Sequence, residues 1–422
     1  GWAADGGVFP TREGWIVDAL PNMAAMLYSW AYLLPGLDHF ETLMVAAHQE
    51  FVLFAVTLAS IPVLIRWLVP DTNAAIAWVA LFLFPSVFIY DASLHSGNDH
   101  VAAFWAVPIF LAFARAWERV DWRNMLALTI CAAGAVLTKY QAASLVIGPA
   151  LFIIGRVVYL AIKRGDDGAW KAGIGVGAVA ALALTAPHWA KNRVFYGDPL
   201  YPALYTRFTP YIWNEDMPMM MERAWKYQVW RPKGTFGEQL METLKAGYEF
   251  SFRSHTNRRF HGTWPYFGSL FTLSLLWLPF VRGAKRTWAL AISAQLGVFT
   301  WFYISHVERY LQALVPLMTA VVVAAVVLAW RTGWLARIPI LALILLQVVW
   351  GGDAFFFRSH AMIGDLPFVH TARLLESGFK GKWEIRDRAY KSQKTVGAAL
   401  PADGTLLVHG YHPRVGYGTR VI

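Results

Sequence analysis

A single cysteine, Cys131, excludes a disulfide within the chain, and its place in an apolar run marks it as a small buried residue, not a thiolate ligand. Charge is scarce too. Only 15% of the 422 residues are Asp, Glu, Lys or Arg, where a soluble chain carries about 25%. There is no signal peptide, no repeat of fixed period and no low-complexity segment. Neither a P-loop nor a dinucleotide fingerprint is found, which leaves ATP-driven transport without support. No nucleophile–His–acid arrangement stands out. The chain opens at Gly1 and closes on Arg420-Val421-Ile422, so both ends are expected to be truncated.

What is present is apolar and aromatic. Hydrophobic residues make up 57% of the chain, with 21 Trp and 17 Tyr, as expected where amphipathic rings sit at membrane–water interfaces. Pro21 to Leu34 would be roughly 21 Å long as a helix, short of the roughly 30 Å hydrocarbon core, and reads as an interfacial helix. Ten candidate spans follow: 43–68, 74–90, 101–118, 122–138, 141–163, 169–189, 264–281, 286–305, 309–330 and 334–352. Pro85 and Pro108 should kink theirs, which is tolerated where neighbouring helices cover the freed backbone groups.

The net charge of +10 does not imply nucleic acid as a partner, because the cations gather in the short connections between apolar runs. Arg66, Arg115, Arg119, Arg123, Lys163, Arg164, Lys171, Arg282, Lys285, Arg286, Arg331 and Arg337 fall on one side of the expected topology. Lys139 and Arg309 fall in short connections on the other. The positive-inside rule makes the first side cytoplasmic.

The reading is therefore an α-helical polytopic membrane protein with about ten transmembrane helices here and an eleventh expected upstream of Gly1. Residues 1–42 form a first outer loop with the interfacial helix, 43–189 a first group of spans, and 190–263 a long extracytoplasmic loop. Residues 264–352 form a second group of spans. Residues 353–422 form an extracytoplasmic, incomplete C-terminal region, where Asp403-Gly404 and strand-like Thr405 to His409 suggest a small α/β unit. The expected location is a bacterial inner membrane, within the cell envelope.

Polar residues of the outer connections are the candidates for chemistry. Asp91 to His100 (DASLHSGNDH) holds two acids and two His with no Lys or Arg. Asp99 can orient a hydroxyl or bind a metal; the alternative is that Asn98-Asp99 caps the next helix and the rest is solvated. Lys139 sits in a tight connection where an ammonium can meet a lipid phosphate, or can snorkel from a helix end. Glu50, with His48 and Gln49, lies near the outer end of the first span, where ionisable groups are costly and face the bundle interior, for function or for a structural hydrogen bond. Toward the long loop, Pro187 to Pro202 combines a helix end, two cations and the turn sequence Gly197-Asp198-Pro199, and Arg253, His255, Arg258, Arg259 and His261 stand among aromatics. Arg forks suit phosphate, and His serves as a metal ligand or proton shuttle; a basic rim attracted to anionic headgroups is the plainer account. Arg309, in His306 to Tyr310, binds phosphate or pairs with Glu308.

Six stretches in order, WAADGGVFPTREGWIVDALPNMAAMLYSWAYLLPG, SGNDHVAAFW, TKYQAASLVIGPALF, KNRVFYGDPLYP, RSHTNRRF and ERYLQALVPL, resemble the GT-C superfamily of polyprenyl-phosphate-dependent glycosyltransferases. The likeness is to the branch of the lipid A aminoarabinose transferases and protein mannosyltransferases. The resemblance implies a GT-C-like fold and a sugar moved from a polyprenyl-phosphate donor to an extracytoplasmic lipid, glycan or protein acceptor. An acidic base takes the proton of the attacking hydroxyl, and cations or a metal stabilise the leaving phosphate. It places that acid in the first outer loop, upstream of Gly1. Asp18 and His255 stand where aminoarabinose transferases hold a divalent metal ion, although Ala19 replaces the Lys that usually follows the acid. The residues carried forward are Asp18, Asp99 and Glu50 as catalytic acids, Lys139, Arg258, Arg259 and Arg309 for the donor phosphate, and Asp18 with His255 for the metal. Membrane lipids are the constant partners. The alternative is a catalytically inactive GT-C-like subunit that assembles with other membrane-complex subunits. A transporter is disfavoured, because the polar residues gather at one face and not at the bilayer midplane.

Overall fold

The structure is a computed structural model that describes residues 20–37, 39–83, 97–163, 168–201, 204, 207–208, 231–252 and 269–350, together with short pieces between 376 and 421. The side chains of Glu308 and Arg309 lie outside that description. The described chain is almost wholly helical.

Helix α1 (Met23–Ser29) runs into a 3-10 turn at Trp30–Leu33. It buries Ala24, Tyr28 and Ala31 against Ala46 and Val101, and exposes Met26, Leu27, Trp30 and Leu33. The helix is short, as expected for Pro21 to Leu34, and packs one apolar face on the bundle while the other, also apolar, is exposed. α2 (His39–Leu68) is 30 residues long, or about 45 Å, and carries Pro62 without breaking. α3 (Ala74–Val79) is capped by Asn73, whose side chain accepts from the Ala75 amide at 2.8 Å, and passes into a 3-10 turn at Ala80–Leu83. Thus 74–83 is two short helical pieces where one span over 74–90 was expected; the rest of that span lies outside the described residues.

α4 (Asn98–Phe104) and α5 (Ala106–Glu118) follow each other through Trp105. α6 (Trp122–Thr138) starts at an Asp121 cap that accepts from the Asn124 amide at 3.0 Å. A 3-10 turn at Tyr140–Ala142 leads into α7 (Ala143–Lys163). α8 (Ala169–Tyr196) runs seven residues past the expected limit of 189, through Pro187, and stops where Gly197 takes a left-handed conformation (φ 74°) that favours glycine. The polar stretch His188 to Arg193 is therefore helix, and the long loop begins later than its composition suggested. Inside that loop α9 (Phe236–Glu249) forms behind a capping box between Thr235 and Glu238.

α10 (Ser269–Leu275), α11 (Lys285–Ser305), a 3-10 stretch at Glu308–Leu314, α12 (Val315–Trp330) and α13 (Trp334–Trp350) complete the helical part. In the C-terminal region two short strands, β1 (Thr405–Leu406) and β2 (Arg420–Val421), pair in parallel.

Among the described residues six helices are long and apolar enough to cross a membrane: Glu41–Leu68, Asn98–Glu118, Tyr140–Lys163, Ala169–Tyr196, Lys285–Ser305 and Tyr310–Trp330. Trp122–Thr138, Ser269–Phe280 and Trp334–Leu345 are apolar but shorter. With large aliphatic side chains such as Ile162, Val179 and Leu182 exposed on their outer faces, these helices make the chain a helical membrane protein.

α12 is apolar all round and almost wholly buried, and it packs against α2, α10, α11 and α13. Small residues let the other helices approach. A Cβ at Gly148 of α7 would stand 2.8 Å from the Ser293 backbone of α11, and one at Gly297 of α11 would stand 2.7 Å from the Ser144 carbonyl oxygen of α7. At Gly173 of α8 a Cβ would stand 3.1 Å from the Asp121 backbone just before α6, whereas at Gly177 it would be in ordinary contact, at 3.4 Å, with Met125 and Thr129 of α6. Where lipid is as apolar as the helix face, such close backbone packing supplies the association energy.

The helices sort their termini chemically. The N-terminal halves of α2 and α4, the end of α6 and the start of α7 gather acids, His and Lys139. The other ends of α2, α5 and α11 gather arginine and lysine, and the Arg286 guanidinium of α11 donates to the Trp67 carbonyl of α2 at 2.8 Å.

Candidate functional site

Two linked pairs occupy the first of these ends. Glu50 of α2 and His100 of α4 are both buried, at 2% and 1% exposure, with Oε1 and Nδ1 2.6 Å apart. Glu50 Oε2 also accepts the Gly97 amide at 3.1 Å, and the Tyr28 hydroxyl of α1 donates to the Gly97 carbonyl at 2.8 Å. A carboxylate at Glu50 can only accept, and it would then require the His100 proton on Nδ1. Counted back from Leu68, Glu50 lies about 27 Å along α2, near where a core of about 30 Å ends. At that depth a lone carboxylate is costly, and its two donors answer the cost. Tyr28 is pushed well above the usual phenol range, first by burial and then by the charges of Glu50 and Asp99. The loop residue Gly97 is thus clamped from α1 and α2 together.

The second pair begins one residue before His100. Asp99 does not cap its helix: Gly97 is the N-cap, and no side chain caps it. Asp99 instead lies in the first turn, where a carboxylate is favoured by the helix dipole, and forms an ion pair with the ammonium of Lys139. Lys139 also stands over the Tyr310 ring, 4.0 Å from its centroid. It follows the last residue of α6, with extended backbone (φ −164°, ψ 131°), which turns the chain out of one helix and into the next. Beneath it Thr138 donates to the Gly134 carbonyl at 2.8 Å and accepts the Trp105 indole N–H at 3.2 Å. The pair therefore joins α4, the α6–α7 connection and the Glu308–Leu314 turn.

The other flank of Lys139 is aromatic. Tyr140 Oη and His188 Nε2 are 2.8 Å apart, and the Tyr140 ring lies parallel to that of Trp189 (6.0 Å, 6°). Farther along α8 the Gly197-Asp198-Pro199 sequence is a built turn. Asp198 is fully buried and accepts the amides of Leu200 at 2.8 Å and Leu204 at 3.0 Å, while Arg193 donates to the Gly197 carbonyl. Tyr196 and Tyr201 stack across it, and the Tyr201 phenol is raised by burial and then by Asp198. Arg193 and Asp198 thus serve the turn itself.

Of the residues expected from the sequence, Glu50, Asp99 and Lys139 come together. Asp18, His255, Arg258 and Arg259 lie outside the described residues. Arg309 is placed only by its backbone, in the turn that carries Tyr310. Among the described residues no three His, Cys, Asp or Glu side chains gather to hold a metal ion. Sequence reasoning missed Tyr28, Tyr310, His188 and the specific role of His100. The isolated Glu50 at membrane depth was the signal that a partner existed.

Residues 29–315 match the model of a family described as a domain of unknown function, DUF8201. That is well over half of the chain. The chain belongs to this family. The DUF8201 match includes Glu50, Asp99, His100, Lys139 and Tyr310, so both pairs lie within the family domain. No curated protein matches the chain. Among solved structures it is similar to the crystal structure of ArnT from Cupriavidus metallidurans in the apo state, at 16% identity and a TM-score of 0.43. The match covers 78% of this chain and 53% of that one, so the DUF8201 chain spans about half the length of that structure.

Proposed function

We propose that the protein is a membrane glycosyltransferase of GT-C type that moves a sugar from a polyprenyl-phosphate donor to an acceptor hydroxyl outside the cytoplasm. The observation that carries this reading is the Asp99–Lys139 pair over Tyr310, set at one end of an apolar bundle and beside the Tyr140–Trp189 rings. A carboxylate and an ammonium within reach of one another at the membrane surface suit the two charges of the reaction. Asp99 would accept the proton of the attacking hydroxyl as its oxygen bonds to the anomeric carbon. The bond from that carbon to the phosphate oxygen breaks, and the polyprenyl phosphate leaves with the electron pair, its charge met by Lys139. The parallel rings offer flat apolar faces to a sugar or a prenyl chain.

In this reading Glu50 is a positioning residue. Its buried carboxylate holds His100 and Gly97, and so fixes the first turn of α4 from which Asp99 projects. Arg258, Arg259 and Arg309 are proposed as further phosphate ligands, and Asp18 with His255 as holders of a divalent ion; no step above passes through a metal.

The test is transfer from a polyprenyl-phosphate sugar by purified protein in lipid nanodiscs, comparing the natural chain with Asp99→Asn and Lys139→Met. Loss of transfer by about 100-fold or more in both variants supports the assignment. Full turnover in both would remove these residues from the site. Polyprenyl-phosphate binding without transfer by the natural chain would favour an inactive subunit.

A further inference from the structure

At the opposite end of the bundle a cleft of about 370 Å³ opens between α2, α5, α7 and α11. Its wall is a continuous run of rings. Trp67 meets Phe110 edge-on at 5.8 Å, Phe110 tilts on Phe113 at 5.5 Å, and Phe113 tilts on Phe152 at 5.7 Å. Trp117 closes the run edge-on against Phe152 at 6.0 Å. Lys285 and Arg286, the first two residues of α11, border the cleft, with Glu118 as the acid among its lining residues.

The cationic side of the cleft is set in place. Arg286 lies over the Trp67 ring at 4.7 Å and spends one N–H on the Trp67 carbonyl, out of the five a guanidinium carries. Arg156 of α7, which is not among the lining residues, stands 5.8 Å from the Trp117 ring and 5.5 Å from the Tyr159 ring.

We propose that this cleft binds an anionic phospholipid, whose phosphate sits at Lys285 and Arg286 while an acyl chain lies along the aromatic wall. A free phosphate would use the cations and leave the rings idle. A zwitterionic lipid would use the rings, but its ammonium would find one carboxylate, Glu118, against the two cations Lys285 and Arg286. Basic pockets between transmembrane helices take anionic headgroups for these reasons. The site lies at the far end of the bundle from Asp99 and Lys139, so the proposal is independent of the glycosyltransferase reading.

The test uses the whole chain, purified in detergent, stripped of lipid and examined by native mass spectrometry with three probes. These are phosphatidylglycerol, phosphatidylcholine of the same chain length and inorganic phosphate. The expected result is one retained phosphatidylglycerol, weakened about fivefold by Lys285→Gln and again by Arg286→Gln. Phosphatidylcholine should bind at least tenfold more weakly. Arg286→Gln also removes the bond to Trp67, so the melting temperature without lipid is recorded for each variant; Lys285→Gln, with no such bond, carries the argument if Arg286→Gln fails to fold. Three results would overturn the proposal: equal retention of the two lipids, displacement of phosphatidylglycerol by inorganic phosphate, or the same loss with Arg331→Gln, a cation at this end that does not line the cleft.

Discussion

Glu50 and His100 face each other 2.6 Å apart in the interior of the bundle, on helices whose contact residues lie fifty positions apart in the chain. The pair ties α2 to the start of α4 and, through Gly97 and Tyr28, to α1. Removing one member leaves the other buried without this hydrogen bond, which costs about 1–3 kcal/mol. Glu50→Ala and His100→Ala should each lower the melting temperature in detergent strongly, and the double variant should lose less than the sum of the two. Strict additivity would mean that the two side chains do not act as a unit.

Six of the ten expected spans are found among the described residues as helices long and apolar enough to cross a membrane, three as shorter apolar helices, and 74–90 only in part. The longest apolar runs were the legible ones. The short helix before the first span was legible from its length, since Pro21 to Leu34 is too short an apolar run to cross a core of about 30 Å. The pairs were not. Asp99 and Lys139 are forty positions apart, and nothing local to either names the other. Tyr310 carried no signal of its own beside the more conspicuous Arg309. The end of α8 was misplaced because its last turn is polar: composition marks where a helix leaves lipid, whereas the left-handed Gly197 marks where it stops being helix.

Lys139 is held on two sides, by Asp99 and by the face of Tyr310. Tyr310→Leu keeps an apolar though smaller side chain and removes the ring, which should cost about 0.5–2 kcal/mol of stability through the lost cation–ring contact. The loss should largely vanish in a Lys139→Met background. A double-mutant cycle by thermal unfolding checks this; equal losses in both backgrounds would show that the ring acts only by packing.

The close approach of α7 and α11 is tested by adding single methyl groups. Gly148→Ala would push a Cβ to 2.8 Å from the Ser293 backbone, where no flexible side chain can yield. Overpacking of this kind costs about 1–3 kcal/mol. Gly155, on the same helix, has nothing within 4 Å of the added atom. Gly155→Ala should be neutral or slightly stabilising, since alanine is the better helix former. Comparable destabilisation at both positions would refute the tight α7–α11 contact.

The capping box of α9 makes a pH-dependent prediction. Glu238 Oε2 accepts the Thr235 amide at 2.7 Å and its hydroxyl at 2.9 Å. The amide first and the hydroxyl second hold the Glu238 carboxyl below its usual range. A carboxyl with a lowered folded-state pKa stabilises the folded form above its unfolded value, and that contribution fades as pH falls through the folded one. Hydrogen exchange at the amides of α9 should therefore be flat from neutral pH down to about 5, after correction for the intrinsic rate, and lose protection at lower pH. Glu238→Gln should show reduced protection at neutral pH and no further loss in acid attributable to this position. If the natural chain and Glu238→Gln lose protection in parallel as pH falls, the carboxylate does not hold the start of the helix.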